Sequence, residues 1–283
     1  MVKKIALKIG AAVLASSYLF MPQIIPLSNR SNPPNLEEKV AIGISNQTKK
    51  YALLISGGGN KRYQENIDEM VRVLTENKYG QDQIFIANEA IDSIYYGSYD
   101  LLKYPGQHFI PSYTAKQKNI VSPTKDNIRG LISKIKSLVT DRDFFLVYLT
   151  GHGGYGTEDN YVVLKNQERL NTSELDSYLN SISPKLFILI ADQCFSGGFM
   201  KLGRGNYVAI TGAKNDELTF EREFISGFIK SHKQKKESDL NNDGVISLYE
   251  SFSYAKKSCN SCMRGISTPQ FKKSRNVDKN VSF

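Results

Sequence analysis

The sequence predicts an α/β protein, a mostly parallel central sheet with helices on both faces. Three observations carry this. From Lys50 onward, short apolar runs alternate with amphipathic ones, the order expected of strand–helix–strand units. Two runs, "DFFLVYLT" (143–150) and "KLFILIA" (185–191), are apolar almost without a break, as strands covered on both faces require. Both stop abruptly in glycine-containing polar loops, "GHGGYGTEDN" and "DQCFSGGF". The C-terminal ends of such strands are where open α/β sheets place their chemistry.

The elements follow in order. Lys3, Lys4 and Lys8 precede an apolar run over 9–21. That run has the length of a signal-peptide core and is short for a membrane span. Residues 1–27 therefore read as a signal peptide or a signal anchor, so the chain is expected to be exported, with membrane anchorage through this segment left open. Residues 28–47 contain "SNRSNPPNLEEK" and read as a polar linker. One globular domain is expected over 48–270. "YALLIS" (51–56) is its first strand. Ile67, Met70, Val71 and Leu74 recur at helical spacing in 62–77. "QIFIA" (83–87) is a second strand, and 88–123, rich in Tyr, Ser, Gly and Pro, is a long irregular segment. Thr124 caps a helix over 123–139. "YVVL" (161–164) suits a short antiparallel strand. A helix over 171–182 has Thr172 or Ser173 as its cap, and "NYVAIT" (206–211) is another strand. Two helices, in 217–236 and 247–257, end the domain, and 271–283 reads as a basic tail.

Composition narrows the function. The chain has 283 residues, 40% hydrophobic and 23% charged, enough to bury a full core. The net charge is +9, but the cations are scattered among acids. Only 230–236 and 272–275 are dense in Lys and Arg. No basic stripe is interleaved with aromatics, so nucleic acid is not the expected partner. Nothing in the sequence sets an oligomeric state.

Cys194 sits at the tip of a buried strand, where a structural cysteine would sit inside it. A thiol acts as a nucleophile when a base helps to remove its proton. Of three histidines, His108, His152 and His232, only His152 ends a buried strand, flanked by glycines. Strands ending side by side would bring His152 to Cys194. The N–H groups of Gly153 and Cys194 would then face a developing oxyanion. Cys259 and Cys262 form a lone "CNSC", which cannot close a tetrahedral zinc site and reads best as a local disulfide outside the cytoplasm.

"FFLVYLTGHGG" followed by "LFILIADQCFSGGF" resembles the His and Cys segments of the caspase-like clan of cysteine peptidases, over about residues 50–258. Position 192 is Asp and a glycine follows Ser196, which departs from the true caspase signature. "LLISGGGNKRYQENIDEM" and "NYVAITGAKNDELTF" are closer to legumain-like and bacterial members. The resemblance implies a three-layer caspase-like sandwich and hydrolysis of a peptide or protein substrate by a Cys194–His152 dyad. It also implies a P1 pocket lined by Asp192, two residues before the nucleophile, by Arg62, and by loop residues such as Asp216 and Glu217. Asp192 alone points to Lys or Arg at P1. Arg62 beside it points to Asn or Asp, since an amide both donates and accepts. Both remain open, as do self-cleavage near 201–204 or 233–236, a transpeptidase using the same acyl-enzyme, and a non-catalytic partner-binding module. The presence of both His152 and Cys194 speaks against the last.

"DLNNDGVISLYE" (239–250) matches a calcium loop, D-x-[DN]-x-[DN]-G-x5-E. Asp239, Asn241 and Asp243 take positions 1, 3 and 5. Val245 offers its carbonyl, Ser247 a water-bridged contact and Glu250 a bidentate carboxylate. The plainer alternative is an Asn-Asp-Gly turn followed by a Ser247–Glu250 capping box. Calcium is the expected metal, and no organic cofactor is expected.

Overall fold

A computed structural model describes residues 48–58, 60–89, 112–156, 159–220 and 222–283. The signal segment, the linker and most of the irregular 88–123 stretch lie outside these residues. Among the described residues no helix is long and apolar enough to cross a membrane.

The protein is a three-layer α/β sandwich around a mostly parallel, seven-stranded sheet. Its strands are β1 (Lys50–Gly57), β2 (Ile84–Ala87), β3 (Asn119–Val121), β4 (Phe144–Gly151), β8 (Leu186–Ala191), β9 (Tyr207–Thr211) and β10 (Gln270–Lys273). Their spatial order is β10-β9-β8-β4-β1-β2-β3. All pairs are parallel except β9–β10. A second, antiparallel ribbon is built from β5 (Gly153–Tyr155), β6 (Asn160–Val163) and β7 (Arg169–Asn171).

The period-two alternation of strand side chains divides the core. Ala52, Leu54, Leu146, Tyr148, Ile188 and Ile190 face one side. There they pack on α1 (Lys61–Glu76), α4 (Glu223–Ser231) and α5 (Leu248–Ser258). Leu53, Ile55, Val147, Leu149, Phe187 and Leu189 face the other, against α2 (Lys125–Lys136) and α3 (Thr172–Leu179). The central strands β1, β4 and β8 are therefore apolar almost throughout because both faces are covered. Thr124 caps α2 through the Asn127 N–H, as expected.

Four expectations are corrected. The cap of α3 is Asn171, not Thr172 or Ser173. Thr172 instead donates to Asn160 O (3.0 Å), and the Ser173 N–H goes to Asp159 (2.6 Å). The helix expected from 217 begins only at Glu223. Glu217 is diverted by Thr268, whose N–H and hydroxyl reach it at 2.7 and 2.9 Å, and this holds 217–220 outside the helix. β3 adds an edge strand inside the segment read as irregular. The basic tail is part of the domain. Phe271 pairs with Ile210 in β10, Val277 and Phe283 are buried, and Lys50 Nζ donates to Phe283 O (2.7 Å). Lys272 and Lys273 disguise this strand because an edge strand keeps its outward side chains in water.

Candidate active site

The strand order turns back beside β1: β2 and β3 extend on one side, β4, β8 and β9 on the other. The crevice over the C-terminal ends at such a reversal is the expected ligand position. Leu149 of β4 is level with Ala191 of β8. His152 and Cys194 each lie three residues further on, so both leave the sheet at the same height.

The loops interlock. A Cβ at Gly153 would sit 2.0 Å from the Cys194 carbonyl oxygen and 2.7 Å from Gln193 Cγ, so the backbones touch where only glycine fits. Val163 N–H donates to His152 O (2.8 Å), which makes Gly153–Val162 the following, non-hydrogen-bonded rung. The Gly153 N–H therefore points away from β6. Among the described residues the Cys194 N–H has no backbone acceptor either. Phe195 follows in the left-handed region, φ 61°. Its N–H donates to Glu217 O (2.7 Å) and its carbonyl accepts from Asn160 Nδ2 (3.1 Å), so both flanks hold this sparsely populated conformation. Asn160 also donates to Asn215 O (2.8 Å), and Ser196 Oγ accepts from the Ala213 N–H (3.1 Å).

Cys194 is half-buried and unpaired. Its Sγ donates to Thr219 O (3.6 Å) and accepts from Thr219 Oγ1 (3.7 Å). No hydrogen bond joins it to His152. The His152 ring stands edge-on to Tyr63, centroids 5.4 Å apart. Though its outer edge is open to solvent, burial of the rest and then the nearby Arg62 charge hold its pKa below the usual imidazole value. The imidazole is thus neutral, and able to accept a proton, over a wider pH range. Arg62 Nη2 donates to Tyr63 Oη (2.8 Å) and stacks on its ring, while its buried Nε has no partner. Burial pushes the Tyr63 phenol up to about 12 against the pull of Arg62.

Asp192 lies at the floor of a narrow cleft that it shares with Gly212, Thr219, Arg222 and the Cys259–Cys262 disulfide. Asn66 Nδ2 donates to its Oδ2 (3.3 Å), and Oδ1 is buried without a partner. Burial raises its pKa to about 7, with Thr150, Arg222 and Arg62 pulling it down. Asn66 in turn accepts from Arg222 Nε (2.6 Å). The cleft holds about 10 Å³, room for about one water.

The expected residues Cys194, His152, Gly153, Asp192 and Arg62 therefore meet at one end of the sheet. Glu217 does not join them: besides Thr268 it takes the Lys214 ammonium (3.1 Å), and Asp216 is exposed. Sequence reading missed Tyr63, Asn66, Asn160, Thr219 and Arg222. Arg222 and Thr219 lay in a stretch read as helix. Tyr63 and Asn66 sit in α1 beside apolar residues and carried no separate signal.

The second expected site is a tight turn. Asn242 and Gly244 have φ 59° and 81°. Asp239 Oδ2 accepts from the Gly244 N–H (2.8 Å), Asn241 Oδ1 from Asp243 N–H (3.0 Å), and Asp243 Oδ1 from Val245 N–H (2.8 Å). Side-chain oxygens at positions 1, 3 and 5 thus accept from the turn's own N–H groups, while Asn241 Nδ2 donates to Asp243 Oδ2 (2.8 Å); oxygen is the donor type that suits a hard cation. Ile246 is buried. The capping box is present too: Glu250 Oε2 accepts from the N–H and hydroxyl of Ser247 (2.9 and 2.8 Å). Its Oε1 reaches back to the Leu240 N–H (2.8 Å). Among the described residues no three His, Cys, Asp or Glu side chains converge on one metal position. Glu250 is spent on its own backbone.

No family model matches this chain, and none of the curated proteins does.

Proposed function

We propose that the protein is a cysteine endopeptidase of the caspase-like clan, with Cys194 as nucleophile and His152 as general base. The observation that carries this is the placement of both residues at one height beyond adjacent parallel strands, with Gly153 against the Cys194 carbonyl. His152 takes the Sγ proton as sulfur bonds to the scissile carbonyl carbon. The oxyanion is held by the Gly153 and Cys194 N–H groups. Collapse breaks the C–N bond, and His152 returns its proton to the leaving amine. Water, deprotonated by His152, then cleaves the thioester and restores the thiol. A transpeptidase differs only in replacing that water by an amine.

The cleft at Asp192 receives the P1 side chain. Its free Oδ1 calls for a donor, which Lys, Arg or Asn supplies. Arg62, with Nε unused and its charge reaching Asp192, favours Asn or Asp. A side chain enters only as 214–222 swings outward, because the cleft now holds about 10 Å³. The same movement frees Cys194 from Thr219. The disulfide at the cleft suits an exported protein.

Calcium binding at 239–250 belongs to the same reading. The side chains of Asp239, Asn241 and Asp243, the Val245 carbonyl, Ser247 through water, and Glu250 would hold the ion. It would fix the turn that leads into α5. Glu250 has first to leave Leu240 and Ser247. Calcium should raise the melting temperature of the parent, magnesium should do less, and Glu250→Gln should abolish the effect. An unchanged melting temperature would leave 239–250 as a capped turn.

The peptidase is tested with fluorogenic peptides varied at P1, using the full chain beside Cys194→Ala. Cleavage lost in the variant supports it. A folded parent that cleaves nothing, and whose Cys194 ignores iodoacetamide, is instead a binding module.

A further inference from the structure

Cys194 has two sides. Asp192 and Thr219 mark the side of the P1 residue. The β4–β5 turn, which carries His152, marks the side from which the amine departs, because His152 must reach that nitrogen. On this second side the ribbon presents Tyr155, which is 60% exposed. Side chains of a strand alternate, so Tyr155 points the same way as the missing Cβ of Gly153, toward the nucleophile loop. There it meets the half-buried Phe195 ring, centroids 6.4 Å apart and planes inclined by 35°.

Neither ring is explained by the core. Tyr155 is mostly in water, and Phe195 belongs to neither buried cluster. Phe195 also keeps a left-handed backbone, φ 61°, which is unfavourable for a bulky residue. Asn160 and Glu217 hold it there. The consequence is an aromatic residue fixed immediately after Cys194 in the chain, with the Tyr155 ring tilted toward it across an open edge.

We infer that Tyr155 and Phe195 form the subsite for the first residue after the scissile bond, and that it selects a bulky apolar, preferably aromatic, side chain. This deepens the peptidase reading and rests on it. An aromatic P1′ side chain loses water against two rings at once, which is worth roughly tenfold over Ala at that position. Small or acidic P1′ residues gain nothing from either ring.

The test uses peptides sharing the best P1 residue, with Phe, Leu, Ala, Gly or Asp at P1′, and a matching series varied at P2. The full chain should cleave the P1′-Phe peptide about tenfold faster, in kcat/KM, than the P1′-Ala peptide. In Tyr155→Ser, a change at an exposed position, that ratio should fall to about twofold or less. Phe195→Gly, whose backbone suits φ 61°, should flatten it in the same way. A P1′ profile already flat in the parent overturns the inference while leaving the peptidase intact. So does a Tyr155→Ser variant that loses a P2 preference instead. No cleavage of any peptide, with Cys194 inert to iodoacetamide, overturns both.

Discussion

Gly153→Ala adds one methyl group where the loops carrying His152 and Cys194 touch. The new Cβ would lie 2.0 Å from the Cys194 carbonyl oxygen and 3.0 Å from its carbon. Ordinary contact is restored only if these backbones part by about 1 Å or more. They are poorly able to do so, since Gly153 is held in the β5–β6 ribbon and Phe195 is tied on both flanks. The displacement separates His152 from Cys194 and, on the proposed mechanism, pulls the Gly153 N–H away from the oxyanion. A misplacement of that size costs on the order of 100-fold in rate, or about 2.7 kcal/mol of activation free energy. The assay is kcat/KM on the best fluorogenic peptide, beside the rate of Cys194 alkylation and a melting curve. Gly130→Ala is the control, because a Cβ there meets nothing within 4 Å. It should be fully active and no less stable. A folded Gly153→Ala variant within about threefold of the parent would refute the interlocked arrangement.

Other outcomes follow from the same geometry. Asp192 favours its protonated form in the folded state, with a pKa near 7 against 3.8 ordinarily. The associated stability is present below pH 3.8 and is lost as pH rises through about 7. Asp192→Asn removes that loss, so its unfolding free energy should gain on the parent between pH 4 and 7, by a margin on the order of 4 kcal/mol, with a higher melting temperature at pH 7. Equal pH dependence in both would contradict the buried carboxyl. Arg62→Gln removes a charge that lowers the His152 pKa. The acid limb of its kcat/KM profile should therefore move to higher pH, and an NMR titration of His152 should move with it. Phe283→Ala empties a buried position against Phe228 and His232, and urea unfolding should report a loss of about 3–5 kcal/mol. A loss below about 1 kcal/mol would restore 271–283 to the status of a tail.

Much of this protein is written locally in its sequence. Runs such as "LFILIA" read as strands covered on both faces, because every side chain, pointing alternately up and down, is apolar. The cysteine after one such run and the glycine-flanked histidine after another are local facts as well, and so are the Thr124 cap and the "CNSC" pair. The calcium-loop pattern is equally legible, but a pattern states which donors are available and not how they are engaged. Glu250 was equally eligible for a metal or for its own helix cap, and in the folded chain it is hydrogen-bonded to Ser247 and Leu240.

What only the tertiary structure decided is every relation between segments distant in the chain. Register between β4 and β8 set His152 level with Cys194. A contact from Thr268 kept Glu217 out of the pocket and delayed the start of α4, overriding a helical composition. The Arg222–Asn66–Asp192 chain joins three segments whose residues look ordinary in isolation. The lysines of β10 look like a solvated tail until β9 is there to pair with. The physical reason is the same throughout. Apolar periodicity is a property of neighbours along the chain, whereas the fate of a polar side chain depends on which donor or acceptor folding brings to it.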